Sequence, residues 1–412
     1  MVDGLRAAAL GAYGNTIVPT PHCDRLAGQG ATVEWLLADS CQLDRIYRSL
    51  WQRVHAARPE VPEGLRPLPD LLGQSGVEQV LVTDEPWLAQ HAETMEWDAL
   101  HLIENSVDAA AVDIETTALG KLFAQAISRW VAWQEEMDDP TGNASSSAHQ
   151  RLLWVHAQGF FGPWDAPSSL RAELLDEEDP PPAEFVWPEK NLAVDEPDLL
   201  LAQRTAYAAQ VSVFDQCLGA LLAALESARP GQETMVTVLG SRGYTLGEHG
   251  WTGTQVEAHY GEQLHVPWLT YFPGRGEPLP RLGDLWQPAD VGATLLDWFG
   301  VEAGLPLTDG ATALPVLLGQ PVGGRQFAYS CGKDTEQLLR TPAWLLRSCP
   351  TATQVELFAK PDDRWEFNEV ADRCPQIVEQ MQALFAQLRQ QSLAGEPLSL
   401  GPLGPELTSA MR

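Results

Sequence analysis

The chain has 412 residues, 44% of them hydrophobic, which is enough for a large core and, by length alone, for two or three domains. Asp and Glu number 56 against 26 Lys and Arg, a formal net charge of −30. Such a surface repels nucleic acid and anionic membranes at long range, so neither is an expected partner.

Fifteen Trp imply large aromatic packing elements. The six cysteines (Cys23, Cys41, Cys217, Cys331, Cys349, Cys374) are widely spaced and form no metal-type pairs, so they read as ordinary thiols. No uninterrupted apolar run reaches the roughly 18 residues of a membrane span. A basic segment leading into an apolar one is missing too, so the sequence as written reads as cytoplasmic. Met1-Val-Asp3-Gly-Leu-Arg6 has the look of the end of a buried strand. A start upstream of Met1, with a leader, would change the localisation.

Taken in chain order, Thr20-Pro21 predicts a helix start, with Thr20 as N-cap and Pro21 at the first helical position. Residues 31–38 and 79–83 predict strands. Residues 116–136 carry Leu122, Phe123, Ala126, Ile127 and Trp130 at helical spacing. The polar stretch 138–149 predicts an exposed loop. Residues 152–157 predict a buried strand opening into Gln158-Gly-Phe-Phe-Gly-Pro-Trp-Asp165, and 176–182 an acidic, proline-rich surface loop. The clearest helix is 195–228, with Tyr207, Val211, Phe214, Leu218, Leu222 and Leu225 along one face. Strands at 234–239 and 266–272 and a helix at 288–299 follow. Beyond about residue 324 come short strands (326–329, 336–340, 343–347) and an amphipathic helix at 373–391. The alternation predicts an α/β fold: a large, mainly parallel sheet flanked by helices over 1–324, with a small C-terminal α+β subdomain over 325–412.

The most informative stretch is Thr237-Val-Leu-Gly-Ser-Arg-Gly-Tyr-Thr-Leu-Gly-Glu-His-Gly250, a strand running into a glycine-rich loop and a histidine. It resembles the metal-site signature of the sulfatase family of the alkaline phosphatase superfamily. Asp3-Gly-Leu-Arg6 with Leu10-Gly-Ala-Tyr-Gly14-Asn15 resembles the family's opening segment, and Thr20-Pro-His-Cys-Asp-Arg-Leu-Ala27 its next helix. Val155-His156 with Gly162-Pro-Trp-Asp165 resembles the active-site strand and loop. Val266-Pro267, Phe272-Pro-Gly274 and Glu356-Leu-Phe…Glu366-Phe-Asn368 resemble later landmarks. Each match is short, and their order and spacing together are specific.

The resemblance implies sulfate ester hydrolysis with a calcium ion held by carboxylates and an amide or imidazole. It also implies a formylglycine nucleophile made from Cys or Ser in Cys/Ser-x-Pro-x-Arg, and basic residues on the sulfate. Asp3 matches one metal ligand. Gly4 stands at the neighbouring acidic position, and Ser241 and Arg242 stand where the family has its second ligand pair. A guanidinium about 4 Å from a cation repels it by about 4 kcal/mol per unit charge at an effective dielectric of about 20. Two orientations of Arg242 are open: in the cation's place, neutralising Asp3, or outward with Asp3 as a capping residue. Cys41-Gln-Leu-Asp-Arg45 has the modification spacing, but Leu43 takes the proline position. Cys41 is either converted or an unmodified thiol at a helix start, where the dipole would lower its pKa.

His249 is the first choice for a pocket histidine, Arg45 and Arg6 are candidate anion contacts, and His156 is a core residue or a pocket wall. The family's loop lysine has no counterpart between Lys190 and Lys333. The expectation is a sulfatase-like protein whose copy of the site is catalytically degenerate and binds a ligand or partner. A small-molecule or carbohydrate ester suits such a cleft. No cofactor is expected, calcium only where other residues rebuild the site. The alternative is an active sulfuric or phosphoric ester hydrolase that uses Cys41 and Arg242. A third reading has Phe160, Phe161 and Trp164 stacking on a sugar, against plain packing.

Overall fold

The computed structural model describes residues 1–138, 150–188, 196–226, 233–253, 259–274, 279, 281–302, 308–320, 323–332, 336–348 and 355–409. The polar loop expected at 138–149 lies, but for its first residue, outside them.

Eleven strands and eight longer helices position the site. They are α1 (Pro21–Gln29), β1 (Ala31–Leu37), α2 (Leu43–Gln52), α3 (Leu68–Gln74), β2 (Glu78–Thr83), α4 (Pro86–Ala92) and β3 (Ala99–Leu102). There follow α5 (Ala118–Asp138), β4 (Arg151–His156), α6 (Pro197–Glu226), β5 (Val236–Leu239), β6 (His265–Tyr271), β7 (Arg281–Trp286) and α7 (Pro288–Trp298). The C-terminal part holds β8 (Ala328–Cys331), β9 (Gln337–Arg340), β10 (Trp344–Ser348), β11 (Val355–Ala359) and α8 (Pro375–Leu393).

β3, β2 and β4 form a parallel sheet, and β5, β6, β1 and β7 form a mixed one. Val2 joins them, bridging Ala157 on one side and Gly240 on the other, both in parallel. The result is a single mixed layer in the order β3-β2-β4-Val2-β5-β6-β1-β7. β6 runs antiparallel to both β5 and β1, and β1 pairs in parallel with β7. The layer is thus mainly parallel, as the alternating pattern predicts.

Both faces are covered, which is why the strands read as continuous apolar runs. In β2 alternate side chains go to opposite faces: Val80 and Val82 join α1, α5 and α6, while Leu81 joins α2, α3, α4 and α7. In α2, Tyr47, Leu50 and Trp51 at i, i+3 and i+4 bury on that second face.

Thr20 precedes α1 as expected, but its side chain makes no cap. Its hydroxyl instead accepts from Gly11 N at 2.9 Å and donates to Asp24 at 3.2 Å. The capping acceptor comes from α6: Asp215 accepts the backbone N–H groups of His22 (3.1 Å) and Cys23 (2.8 Å). α6 is long and apolar enough to cross a membrane by length and composition, and most of its apolar window is buried inside the protein. Its segment carries no uninterrupted apolar run of about 18 residues.

Between β4 and β5 the sheet is closed only at its end. The Met1 ammonium donates to Val155 O at 2.7 Å, and burial pushes its pKa down to about 5. Beyond it, the facing edges of β4 and β5 border a cavity of about 560 Å³ lined by Leu153, Val155, Phe214, Leu218, Val236 and Val238, among others.

The C-terminal strands form an antiparallel meander, β8-β9-β10-β11. Met381, Phe385 and Leu388 of α8 pack on Leu339, Leu346 and Leu357. Arg325 ties this unit to α7 through a bidentate pair with Asp290, both contacts at 2.6 Å.

Candidate functional site

Every strand of the large sheet except β6 points the same way, so their C-terminal ends share one edge. Val2 leads to Asp3, β1 to Cys41, β2 to Asp84 and Glu85, β4 to His156, and β5 to Ser241 and Arg242. Open α/β sheets place their ligands at this edge.

Arg242 points inward. Its Nε donates to Asp3 Oδ1 and its Nη2 to Asp3 Oδ2, each at 2.9 Å, a planar fork on the carboxylate. Ser241 Oγ donates to Asp3 Oδ1 at 2.5 Å. Arg242 Nη1 reaches the carbonyl of Cys41 at 2.7 Å, and the guanidinium lies 4.0 Å from the centroid of the Phe161 ring. Burial alone would lower the pKa of Arg242, and Asp3 more than offsets that, so the guanidinium stays charged. Asp3 is 1% exposed. It is an ion-pair partner and not a helix cap.

Gly4 explains why a second carboxylate is missing beside Asp3. Its φ is +78°, and a Cβ there would come within 2.6 Å of Phe160 Cβ. An acidic side chain does not fit without moving the loop. Position 4 thus offers no second carboxylate, and Asp3 itself is held by Arg242 and Ser241. Calcium takes 6–8 oxygens, and these residues do not fit it.

Cys41 precedes α2, but its thiol is not activated. Burial pushes its pKa up to about 12, with Arg242 pulling weakly the other way. Its Sγ lies 3.9 Å from Gln263 Oε1. This corrects the expectation that the helix start lowers the pKa: desolvation of a fully buried thiolate outweighs a dipole. The five described cysteines are all free thiols.

His156 is a buried wall of the same site. Its Nδ1 and the Tyr47 hydroxyl are 2.7 Å apart, and its Nε2 has no hydrogen-bond partner among the described residues. Burial, then the nearby Met1 ammonium and Arg242, hold its pKa well below the usual value, so the ring is neutral. Arg6 is not free to bind an anion, because its Nη1 pairs with Glu248 at 2.7 Å. Arg45 is half-buried and forms no ion pair or hydrogen bond among the described residues.

His249 does not join this cluster of contacts. It stacks on Tyr260, with centroids 3.7 Å apart and planes 4° from parallel, and its Nε2 is 3.4 Å from Glu262 Oε1. The aromatic loop does not present a stacking platform either. Phe160 and Trp164 are fully buried and pack on Tyr207, and Phe161 lies under Arg242.

Sequence reasoning assigned no role to Tyr47, Glu248, Glu262 or Glu366, and gave Phe161 a sugar-stacking role rather than its place under Arg242. Glu248 carried a signal, since it sits between Gly247 and His249 in the loop already singled out. Glu366 lies in a segment recognised as a landmark. Tyr47 carried none, because it sits in an apolar helical context that core packing explains.

The sequence model of the family Sulfatase matches residues 1–301. Iduronate 2-sulfatase of Mus musculus is 32% identical over 125 residues, which cover 27% of this chain and 22% of that protein. The chain thus aligns with less than a quarter of that relative's length. Among solved structures, a 2-O GAG sulfatase superposes with a TM-score of 0.71 at 16% identity, covering 95% of this chain and 91% of that one. The phosphonate monoester hydrolase of Agrobacterium radiobacter gives 0.70 at 16% identity, covering 97% and 99%. Both share the fold. Sulfatases commonly use a metal ion, so membership runs against the expectation that no cofactor binds. With the strand-end cluster, the fold and a family match over most of its length in agreement, the chain belongs to the sulfatase family.

Proposed function

We propose that this chain is a catalytically degenerate sulfatase homologue whose strand-end cleft binds a ligand or partner without hydrolysing it. One observation carries the reading: the guanidinium of Arg242 holds both oxygens of Asp3. A fixed cation thereby stands where a metal ion would be needed, and the residues around Asp3 do not suit calcium. The other charges agree. Arg6 is taken up by Glu248, so two of the arginines available to a sulfate group are already neutralised. The proposed ligand is a small-molecule or carbohydrate ester, held by hydrogen bonds rather than by an anion clamp.

The alternative is an active ester hydrolase in which Cys41 attacks and Arg242 stabilises the developing charge. The contact between Arg242 and the Cys41 carbonyl favours it to the extent of bringing them together. Against it, a thiol near pKa 12 is ionised in only about one molecule in 10⁵ at pH 7.

The deciding experiment pairs calcium titration calorimetry with aryl sulfate turnover, on protein purified without chelator and again after chelation. No calcium binding at millimolar concentration and no turnover are expected. Turnover that Cys41→Ala abolishes would overturn the reading.

A further inference from the structure

We propose that His249, Glu262 and Glu366 form a divalent cation site, suited to a borderline first-row ion of the zinc type and distinct from the Asp3 position. Each residue offers one ligand atom, and these atoms all lie within 4.8 Å of one another. The residues come from three distant segments: the loop after β5, the short helix Gly261–Leu264, and the segment after β11.

The geometry of the closest pair is the first argument. His249 Nε2 and Glu262 Oε1 are 3.4 Å apart, an ion-pair contact longer than an ordinary hydrogen bond. Tetrahedral donors about 2.1 Å from a shared ion are about 3.4 Å apart, so this is the spacing of two ligands on one metal.

The second argument is an unsatisfied group. The Glu262 side chain is only 2% exposed, and its Oε2 has no hydrogen-bond partner among the described residues. A buried carboxylate oxygen left in that state is costly unless a cation or a donor completes it.

The surroundings fix the ligands in place. The His249 ring lies flat on Tyr260, whose other neighbour is the Arg347 guanidinium at 3.9 Å from the ring centroid. Glu366 accepts from Gly261 N at 2.8 Å and from Lys360 Nζ at 3.0 Å. Each of its oxygens keeps a second lone pair for an ion. His249 and Glu366 also hold positive φ, at 54° and 60°.

The donor set gives the selectivity. One imidazole nitrogen and two carboxylates suit zinc, cobalt or manganese, whereas calcium and magnesium favour all-oxygen shells. The role is structural: the ion would clamp the loop after β5 to the C-terminal sheet.

The test uses the full-length protein, stripped with chelator and titrated with zinc chloride, calcium chloride and cobalt(II) chloride. One equivalent of zinc is expected to bind and raise the Tm, with no competition from millimolar calcium. Cobalt(II) should acquire visible absorption that zinc abolishes. Glu262→Gln and Glu366→Gln should each weaken zinc binding at least about tenfold while leaving the far-UV circular dichroism unchanged. If the variants fail to fold, the wild-type cobalt spectrum and zinc stoichiometry decide alone. No stoichiometric zinc binding by the wild type, or binding that survives unchanged in both folded variants, would overturn the proposal.

Discussion

Truncating Arg242 to alanine should cost about 3–4 kcal/mol of folding stability. The side chain makes two charge-assisted hydrogen bonds to Asp3, one to the Cys41 carbonyl, and a face contact with Phe161. At 2.9 Å and an effective dielectric of about 20 the Coulomb attraction is about 6 kcal/mol before desolvation. Breaking a buried pair from one side costs about 3–5 kcal/mol, because the other charge stays buried. Here Asp3 would keep only the Ser241 hydroxyl. The guanidinium is 18% exposed, which argues for the lower half of that range. The assay is urea unfolding at pH 7 for the wild type, Arg242→Ala, Asp3→Asn, and the double variant Asp3→Asn with Arg242→Met. The double variant removes both charges and keeps the volume, so it should lose less than Arg242→Ala does. A loss below about 1 kcal/mol for Arg242→Ala would mean the pair is screened by solvent, and the argument for a filled cation position would fail.

Four depressed bases should lower stability on acidification from about pH 8 to pH 4, offset in part by Asp84, whose carboxyl pKa is raised by burial to about 7. Burial lowers His265 to about 3, His259 to about 4 and the Met1 ammonium to about 5, and also depresses His156. Between the folded and unfolded pKa values the unfolded chain holds a proton that the folded chain lacks, so each group adds a slope of up to about 1.4 kcal/mol per pH unit. A Tm that stays flat or rises toward acid would refute this. In thiol labelling of the native protein, half-buried Cys374 should react before Cys41, Cys217 and Cys331, which burial pushes to about 12. Rapid native labelling mapped to Cys41 by mass spectrometry would contradict its burial. Fusing five β-branched apolar residues ahead of Met1 should raise the Tm, since an added strand would pair with β4 and β5, remove the buried ammonium and fill the 560 Å³ cavity. Each buried Val or Ile contributes about 1.5–3 kcal/mol, so an unchanged or lower Tm would show that the slot does not accept a strand.

Much of the fold was legible because local period encodes burial. The short apolar runs at 79–83 and 152–157 read as strands covered on both faces, and the spacing of Tyr207 through Leu225 as a buried helix face. The strands that escaped notice are those where that signal is weak. β3 is four residues of Ala-Leu-His-Leu, β7 carries Gly283 and Asp284, and β11 lies next to residues of mixed polarity. The reversed direction of β6 was not legible either, since an apolar run reads the same both ways.

At the site, the sequence by itself determined which groups were absent. Gly4, Ser241, Arg242 and Leu43 stand where the resemblance leads one to expect three ligand positions and a proline. Only the tertiary structure decided what the remaining groups do. Asp3 and Arg242 are 239 positions apart, and Arg6 and Glu248 are 242 apart. Whether such residues meet depends on strand register and on the path of Val2 between β4 and β5. The same holds for Phe160 and Trp164, which local composition leaves free to face solvent and which the packing of Tyr207 and Tyr244 buries. Periodicity fixes which side of an element faces the core, but pairing between distant charges is fixed only when the sheet brings their strand ends to a common edge.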